Sequence, residues 1–288
     1  MYANITELIE QAKEIGSVAE LAIQTEIEVT GRSREEIIEL MERNLQTMKD
    51  SIVNGLKGKK SITGLTGGDA VKIDNYIKSG KSLSGAGILS AVRNALAVNE
   101  VNAQMGLICA TPTAGSAGTL PGVLMLAIEK LGLTHEQQLD FLFTAAAFGL
   151  AIANNSTISG AEGGCQAEVG SASAIASAAL VIAAGGTIDQ AAQAICLTLQ
   201  NMLGLICDPV AGLVEVPCVH RNALGSSQAL VSADMALAGI ETIFNADEVV
   251  AVMYKVGKSL PSMYRETADG GLAQTPTGRA VMEKLYGN

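Results

Sequence analysis

The sequence contains no tryptophan and only 3% aromatic residues, against 48% hydrophobic residues overall. A core with so few rings has to be closed by small aliphatic side chains, which Ala-, Gly- and Ser-rich runs such as "GSASAIASAAL" supply. Helices carrying such residues pack with their backbones close together. Positive charge is also scarce: 19 Lys and Arg against 29 Asp and Glu leave a net charge of −10. Nucleic acid and anionic membrane surfaces both select basic faces, so neither is expected as a partner, and a small polar substrate fits better. Long apolar runs are missing too. The longest, "FLFTAAAFGLAIA" at 141–153, stops short of the about 20 residues that a membrane-spanning helix needs and reads as a buried helix. Residues 1–30 carry acidic residues in an amphipathic rhythm, without a basic leader, apolar segment or cleavage site. A cytoplasmic protein is expected.

Period-two runs of β-branched and aromatic residues are rare, whereas windows of helical period dominate. The fold class expected is therefore all-α: one compact catalytic multi-helix domain over residues 1–288, with Gly/Ser/Thr-rich active-site loops and residues 1–55 as a helical N-terminal arm on that domain. Predicted helices span 4–28, 33–54, 85–105, 121–131, 135–153, 166–184, 188–205, 222–243 and 247–258. Ser33 followed by Glu36 predicts a capping box at the second of these. The intervening loops, "SITGLTGGDA", "SGKSLSGAG", "ATPTAGSAGTLPG" and "NNSTISGAEGG", are of the kind that turns a chain or binds a ligand.

Five cysteines make an odd number, and in a reducing compartment lasting disulfides are rare, so the thiols are free, catalytic or metal-bound. Cys109 and Cys196 are embedded in apolar stretches and read as small core residues. Cys165, Cys207 and Cys218, spaced C-x41-C-x10-C, lie instead at turns. Cys165 precedes a predicted helix, where unpaired N–H groups favour a thiolate. Cys207 closes the helix before Pro209, and Cys218 follows Pro217 ahead of another helix. From spacing alone the three thiols fit a structural zinc site with His220 as fourth ligand, an iron–sulfur cluster with one open iron, or no shared site, because no CxxC pair is present. Nucleotide-binding, GxSxG and HExxH motifs are absent, and His135 reads as a structural residue near a helix start.

The segments "GGDAVKI", "ATPTAGSAGTLPGV", "NNSTISGAEGGCQAEVGSASAIASAAL", "CDPVAGLVEVPCVHRNA" and "RETADGGLAQTPTG" together resemble the α chain of iron–sulfur-dependent L-serine dehydratases. The resemblance covers roughly residues 60–280. It implies that Cys165, Cys207 and Cys218 hold a [4Fe–4S] cluster, with His220 in a supporting role. The implied reaction is dehydration of L-serine to aminoacrylate, which becomes pyruvate and ammonia, with the open iron acting as Lewis acid on the serine hydroxyl.

Within that frame Thr111, Thr113, Ser116 and Gly118 of "TPTAGSAG", and Asn154, Asn155 and Ser156 of "NNSTISG", are the expected donors to the substrate carboxylate and amine. Asp69 and Lys72 of "GGDAVK" are the candidates for a polar contact or the general base. Single-chain relatives carry an additional small domain with a Ser-His-Thr motif that this sequence lacks. The resemblance therefore implies a separate β subunit, which is a second source for the base. A cysteine desulfidase on a similar scaffold is the close enzymatic alternative, and a structural zinc protein or cluster-based sensor the non-enzymatic one.

Overall fold

The computed structural model describes residues 1–287; Asn288, the last residue of the expected domain, lies outside the described residues. Among the described residues there are thirteen α-helices and no strand. The first three are α1 (Ile5–Ile15), α2 (Val18–Thr30) and α3 (Arg34–Gly55). The single helix expected over 4–28 is thus two. Gly16 takes φ +84°, a left-handed conformation that ends α1, and Ser17 caps α2 by accepting from Glu20 N–H. The Ser33–Glu36 capping box forms as expected.

Next come α4 (Asp69–Lys78), α5 (Ala86–Ala103), α6 (Thr119–Leu131) and α7 (His135–Asn155). The one-turn α8 (Gly160–Gly163) leads through a π-helical turn, Gln166–Gly170, into α9 (Ser171–Ala183). The remainder is α10 (Ile188–Gln200), α11 (Cys218–Leu237), α12 (Ala246–Ser259) and α13 (Pro276–Tyr286). Sequence periodicity misses α4 and α13. Both are short, 10 and 11 residues, and each buries a single residue, Ala70 and Gly278.

The serine- and alanine-rich α9 is the hub, packed against α6, α7, α10 and α11. Ten of its thirteen residues are buried. Close approach is what the small residues allow. A Cβ on Gly225 of α11 would fall 2.8 Å from Ser173 Oγ of α9 and from Thr119 Oγ1 of α6. Ser173 and Ser177 satisfy their hydroxyls on the carbonyls of Val169 and Ala174.

Residues of the N-terminal segment share the main core: Tyr2, Ile5, Leu8, Leu21, Ile37 and Met48 are buried in one cluster with Phe141, Phe148 and Ile195. Each such side chain contributes roughly 1.5–3 kcal/mol by leaving water. The chain start is pinned by polar contacts as well. Asp247 of α12 accepts from Ile5 N–H (2.8 Å), Thr6 N–H (3.0 Å) and the Thr6 hydroxyl (2.5 Å), capping α1 from 241 residues away. One helical run is long and apolar enough to cross a bilayer, Gln166–Ala183, and it is 83% buried inside the fold.

Candidate metal centre

The sequence Gly163-Gly164-Cys165 ends α8 with Gly164 at φ +74° and turns the chain so that Cys165 heads the π-helical turn. Gln166 N–H donates to Leu205 O, and the Gln166 amide accepts from Gly204 N–H. These bonds hold the 201–208 loop against the turn. Cys207 does not close α10 as expected, because α10 stops at Gln200 and Gly204 takes φ +83°. Cys207 instead lies in an extended stretch, donating its N–H to Tyr264 O and accepting from Glu266 N–H at its carbonyl. Cys218 is the first residue of α11, which starts four residues earlier than periodicity predicts. The α11 amide Asn222 accounts for that start, accepting from three donors on the 118–119 segment and donating to Cys218 O.

All three thiols are buried, at 1%, 2% and 6% exposure. Cys165 Sγ, Cys207 Sγ and a carboxylate oxygen of Glu168 lie within 4.8 Å of one another. Cys165 is held below the usual thiol range by a hydrogen bond from Cys207, against the effect of burial, with the charge of Arg221 adding to it. The same hydrogen bond and burial push Cys207 up. Cys218 is not one of the residues in the group formed by Cys165, Glu168 and Cys207; burial pushes its thiol up, and the charges of Cys165 and Glu168 add to this.

Arg221 lies three residues after Cys218. Its guanidinium reaches Cys165 Sγ (3.4 Å), Ile206 O (2.8 Å) and Asp208 Oδ1 (2.7 Å). Asp208 is itself fixed by Leu272 N–H at 2.6 Å. The result is a thiolate-favouring site in which one buried cation is oriented by a buried carboxylate.

Glu168, one helical turn beyond Cys165, is 7% exposed and accepts a hydrogen bond from the Thr113 hydroxyl. Burial pushes its carboxyl up, and the neighbouring Glu266 adds to the shift. Gly160 leaves room for all of this. A Cβ there would stand 3.1 Å from Glu168 Oε2, 3.2 Å from Cys207 Sγ and 3.2 Å from Glu266 Oε2. Soft thiol donors around a glycine-lined space fit a thiolate-bound iron–sulfur or zinc group better than a hard cation such as Mg²⁺.

The loop residues singled out from the sequence have the following partners. Thr113 joins Glu168 and the Ser116 hydroxyl. Ser116 is fully buried and donates to Thr111 O, and Thr111 donates to Ala117 O. Gly118 N–H goes to Asn222. Of this loop Thr113 reaches Glu168 with its hydroxyl, and Gly115 lies against the same carboxylate, a Cβ there falling 2.6 Å from Oε1. Asn155 donates to Ala3 O (2.6 Å) and Ala151 O (3.0 Å), Ser156 to Thr157 O, and Asn154 is exposed. Asp69 begins α4 and pairs with Lys72 Nζ (2.7 Å) and His220 Nε2 (3.1 Å). Cys196 is core, its thiol pushed up to about 12 by burial. Cys109 is half-buried and lines an apolar cavity of about 320 Å³ behind the Thr111–Pro112 peptide.

A family model described as serine dehydratase alpha chain matches residues 13–273. The chain belongs to the serine dehydratase alpha chain family. It is 58% identical over 288 residues to the probable L-serine dehydratase alpha chain of Bacillus subtilis (strain 168), covering 100% of this chain and 96% of that one. The L-serine dehydratase alpha chain of Peptoniphilus asaccharolyticus is 42% identical over 278 residues, 96% of this chain and 95% of that one. L-serine dehydratase 1 of Escherichia coli (strain K12) is 36% identical over 280 residues, and there the match takes in 94% of this chain but 61% of the longer relative.

Sequence reasoning missed Glu168, Arg221, Asp208, Asn222 and Glu266 in this serine dehydratase alpha chain site. The first two had a signal, since each stands one helical turn after a cysteine at a helix start. Glu266 meets the site through the pairing of two loops, Cys207 with Arg265, which no local pattern encodes, and Asp208, next to Cys207 in the chain, through its ion pair with Arg221.

Proposed function

We propose that this chain is the catalytic α subunit of a cytoplasmic L-serine dehydratase, a lyase that forms pyruvate and ammonia from L-serine via aminoacrylate and works with a separate β subunit. Supporting this are the family membership and the names of the full-length relatives in Bacillus subtilis and Peptoniphilus asaccharolyticus. The single observation that carries it is the buried Cys165–Cys207 pair beside Arg221, with Cys218 at the head of the neighbouring helix.

Cys165, Cys207 and Cys218 would hold a [4Fe–4S] cluster. When bound, such a cluster supplies Lewis-acid assistance to departure of the serine hydroxyl. The protein residues do the rest. Arg221 favours the thiolate of Cys165, Asp208 keeps Arg221 in place, and burial excludes water from the reacting centre. The 111–118 loop and the 154–156 segment are proposed to position the substrate, Thr113 being the member whose hydroxyl donates to Glu168.

Asp69 and Lys72 are poorly suited to take the Cα proton. Hydrogen bonds from Lys72 and His220 outweigh burial and hold Asp69 below the usual carboxylate range, while Asp69 pushes Lys72 up. A depressed carboxyl is a weak base, and a raised ammonium stays protonated. We assign this pair a polar contact at the site mouth, and the base to the β subunit.

The test is iron and acid-labile sulfide per chain after anaerobic purification, followed by pyruvate formation with the β subunit added. About four of each per chain with L-serine turnover supports the assignment. Turnover of L-cysteine in place of L-serine would make it a desulfidase, and stoichiometric zinc without iron would remove the mechanism.

A further inference from the structure

The residues named so far leave the amino group of the substrate without a counter-charge. An α-amino acid carries its nitrogen as a cation, and removing a cation from water requires an anionic or multiply hydrogen-bonding partner. The Arg221 guanidinium beside the thiols is engaged by Asp208, Ile206 O and Cys165. Two carboxylates face the same space with no cation of their own. Glu168 is more than nine-tenths buried, and its Oε1 takes the Thr113 hydroxyl. Its Oε2 accepts no hydrogen bond among the described residues and points into the gap left by Gly160.

Glu266 reaches that gap from the opposite loop. Its Oε2 would be 3.2 Å from a Cβ on Gly160, with Cys207 Sγ at the same distance. No residue among those described donates to either oxygen of its side chain. Its backbone holds φ +66°, unusual for a non-glycine residue, and its N–H is fastened to Cys207 O at 2.8 Å. Glu266 is thus placed by the cysteine that it neighbours rather than by local preference.

We propose that Glu168 and Glu266 together form the ammonium subsite, recognising the primary α-ammonium of an L-amino acid and selecting it against hydroxy acids of the same shape. The inference rests on the proposed function, since it presumes an amino-acid substrate at the thiol centre. The two Oε2 atoms converge beside Gly160, 3.1 and 3.2 Å from where a Cβ would stand, and the Thr113 hydroxyl occupies Oε1 of Glu168, leaving Oε2 for the ammonium.

The experiment compares L-serine with L-glycerate, in which a hydroxyl replaces the ammonium, on the iron-loaded α chain with its β subunit. Parent, Glu168→Gln and Glu266→Gln are measured for the KM of L-serine, the inhibition constant of L-glycerate, and iron and sulfide content. The expected result is a rise of about tenfold or more in the KM for serine in each variant, with glycerate inhibition unchanged or tighter and iron content equal to the parent. Parallel weakening of serine and glycerate would show a merely structural role and overturn the subsite. Loss of iron in Glu168→Gln would place that residue among the metal ligands instead. If Glu168→Gln does not fold, the half-buried Glu266 decides alone, by the same ratio. A parent that does not turn over serine would sink the proposed function itself, and the subsite with it; an active parent with an unchanged serine-to-glycerate ratio in the variants sinks only the subsite.

Discussion

Asn222 grips Thr119 twice: its Oδ1 accepts from both the backbone N–H and the hydroxyl of Thr119, each at 3.1 Å. The same oxygen accepts from Gly118 N–H, and the Asn222 amide donates to Gly115 O (2.7 Å) and Cys218 O (2.9 Å). One fully buried side chain thereby ties the start of α6, the end of the 111–118 loop and the cysteine that opens α11 into one rigid corner.

Replacing Asn222 with alanine leaves several buried donors and acceptors unmatched, each costing about 1–3 kcal/mol. The expected loss is about 2–4 kcal/mol once the site relaxes, measured as a lower urea midpoint at unchanged m-value. A variant as stable as the parent would show that the corner is held by packing alone.

The five cysteines divide into two groups. Cys165→Ala, Cys207→Ala and Cys218→Ala should each lose most bound iron and all dehydratase activity, while Cys109→Ala and Cys196→Ala keep both. Iron and sulfide analysis under anaerobic conditions distinguishes the groups. Prolonged aeration of the parent should abolish activity as iron leaves, and anaerobic addition of iron and sulfide should restore it.

Two glycine substitutions should fail in different ways. A Cβ on Gly118 would stand 2.2 Å from Ala95 O, a backbone atom that cannot move without separating α5 from α6. Gly118→Ala is therefore expected to destabilise the whole fold, read as a marked drop in Tm. On Gly160 the Cβ meets side-chain atoms at 3.1–3.2 Å, which can yield by a few tenths of an ångström. Gly160→Ala should keep its Tm to within a few degrees yet lose serine turnover, because the space at the thiols is filled.

Much of this was visible in the sequence, and the reasons differ by element. Ser33 and Glu36 are close in the chain, so their capping box could be read directly. The position of Cys218 at a helix start could be read from the proline before it, whereas Cys207 lies in an extended stretch that its neighbours in the chain do not announce. The break at Gly16 could not be read either, since the apolar rhythm runs through it and only the backbone angle reveals it. Glu168 was hidden for a different reason: inside a continuous helical pattern a glutamate looks like a solvent-facing residue, until the fold buries it against Thr113.

Glu100 provides a pH test. Its side chain is fully buried within α5, accepts from Asp69 N–H at 2.6 Å, and is pushed by burial above its ordinary value of 4.5. Because the folded state holds this proton more tightly than the unfolded one, its contribution is most favourable below the unfolded pKa. It is lost as pH rises toward the folded value. Relative to the parent, Glu100→Gln should therefore gain stability between about pH 4.5 and neutrality, by urea unfolding at several pH values. A parent-to-variant difference that does not vary with pH would remove the titration from the account.

The capping of α1 by Asp247 has a consequence for synthesis. The ribosome makes α1 first, but the carboxylate that completes it emerges more than 240 residues later, on the order of tens of seconds at ordinary elongation rates. Tyr2, Ile5 and Leu8 meet their cover in stages, first from α2, then from α7, where the Tyr2 hydroxyl donates to Ala147 O, and later from α10 and α12. The α1 segment is thus covered long before its cap exists, and the contact that fixes its N-terminus is among the last the growing chain can make.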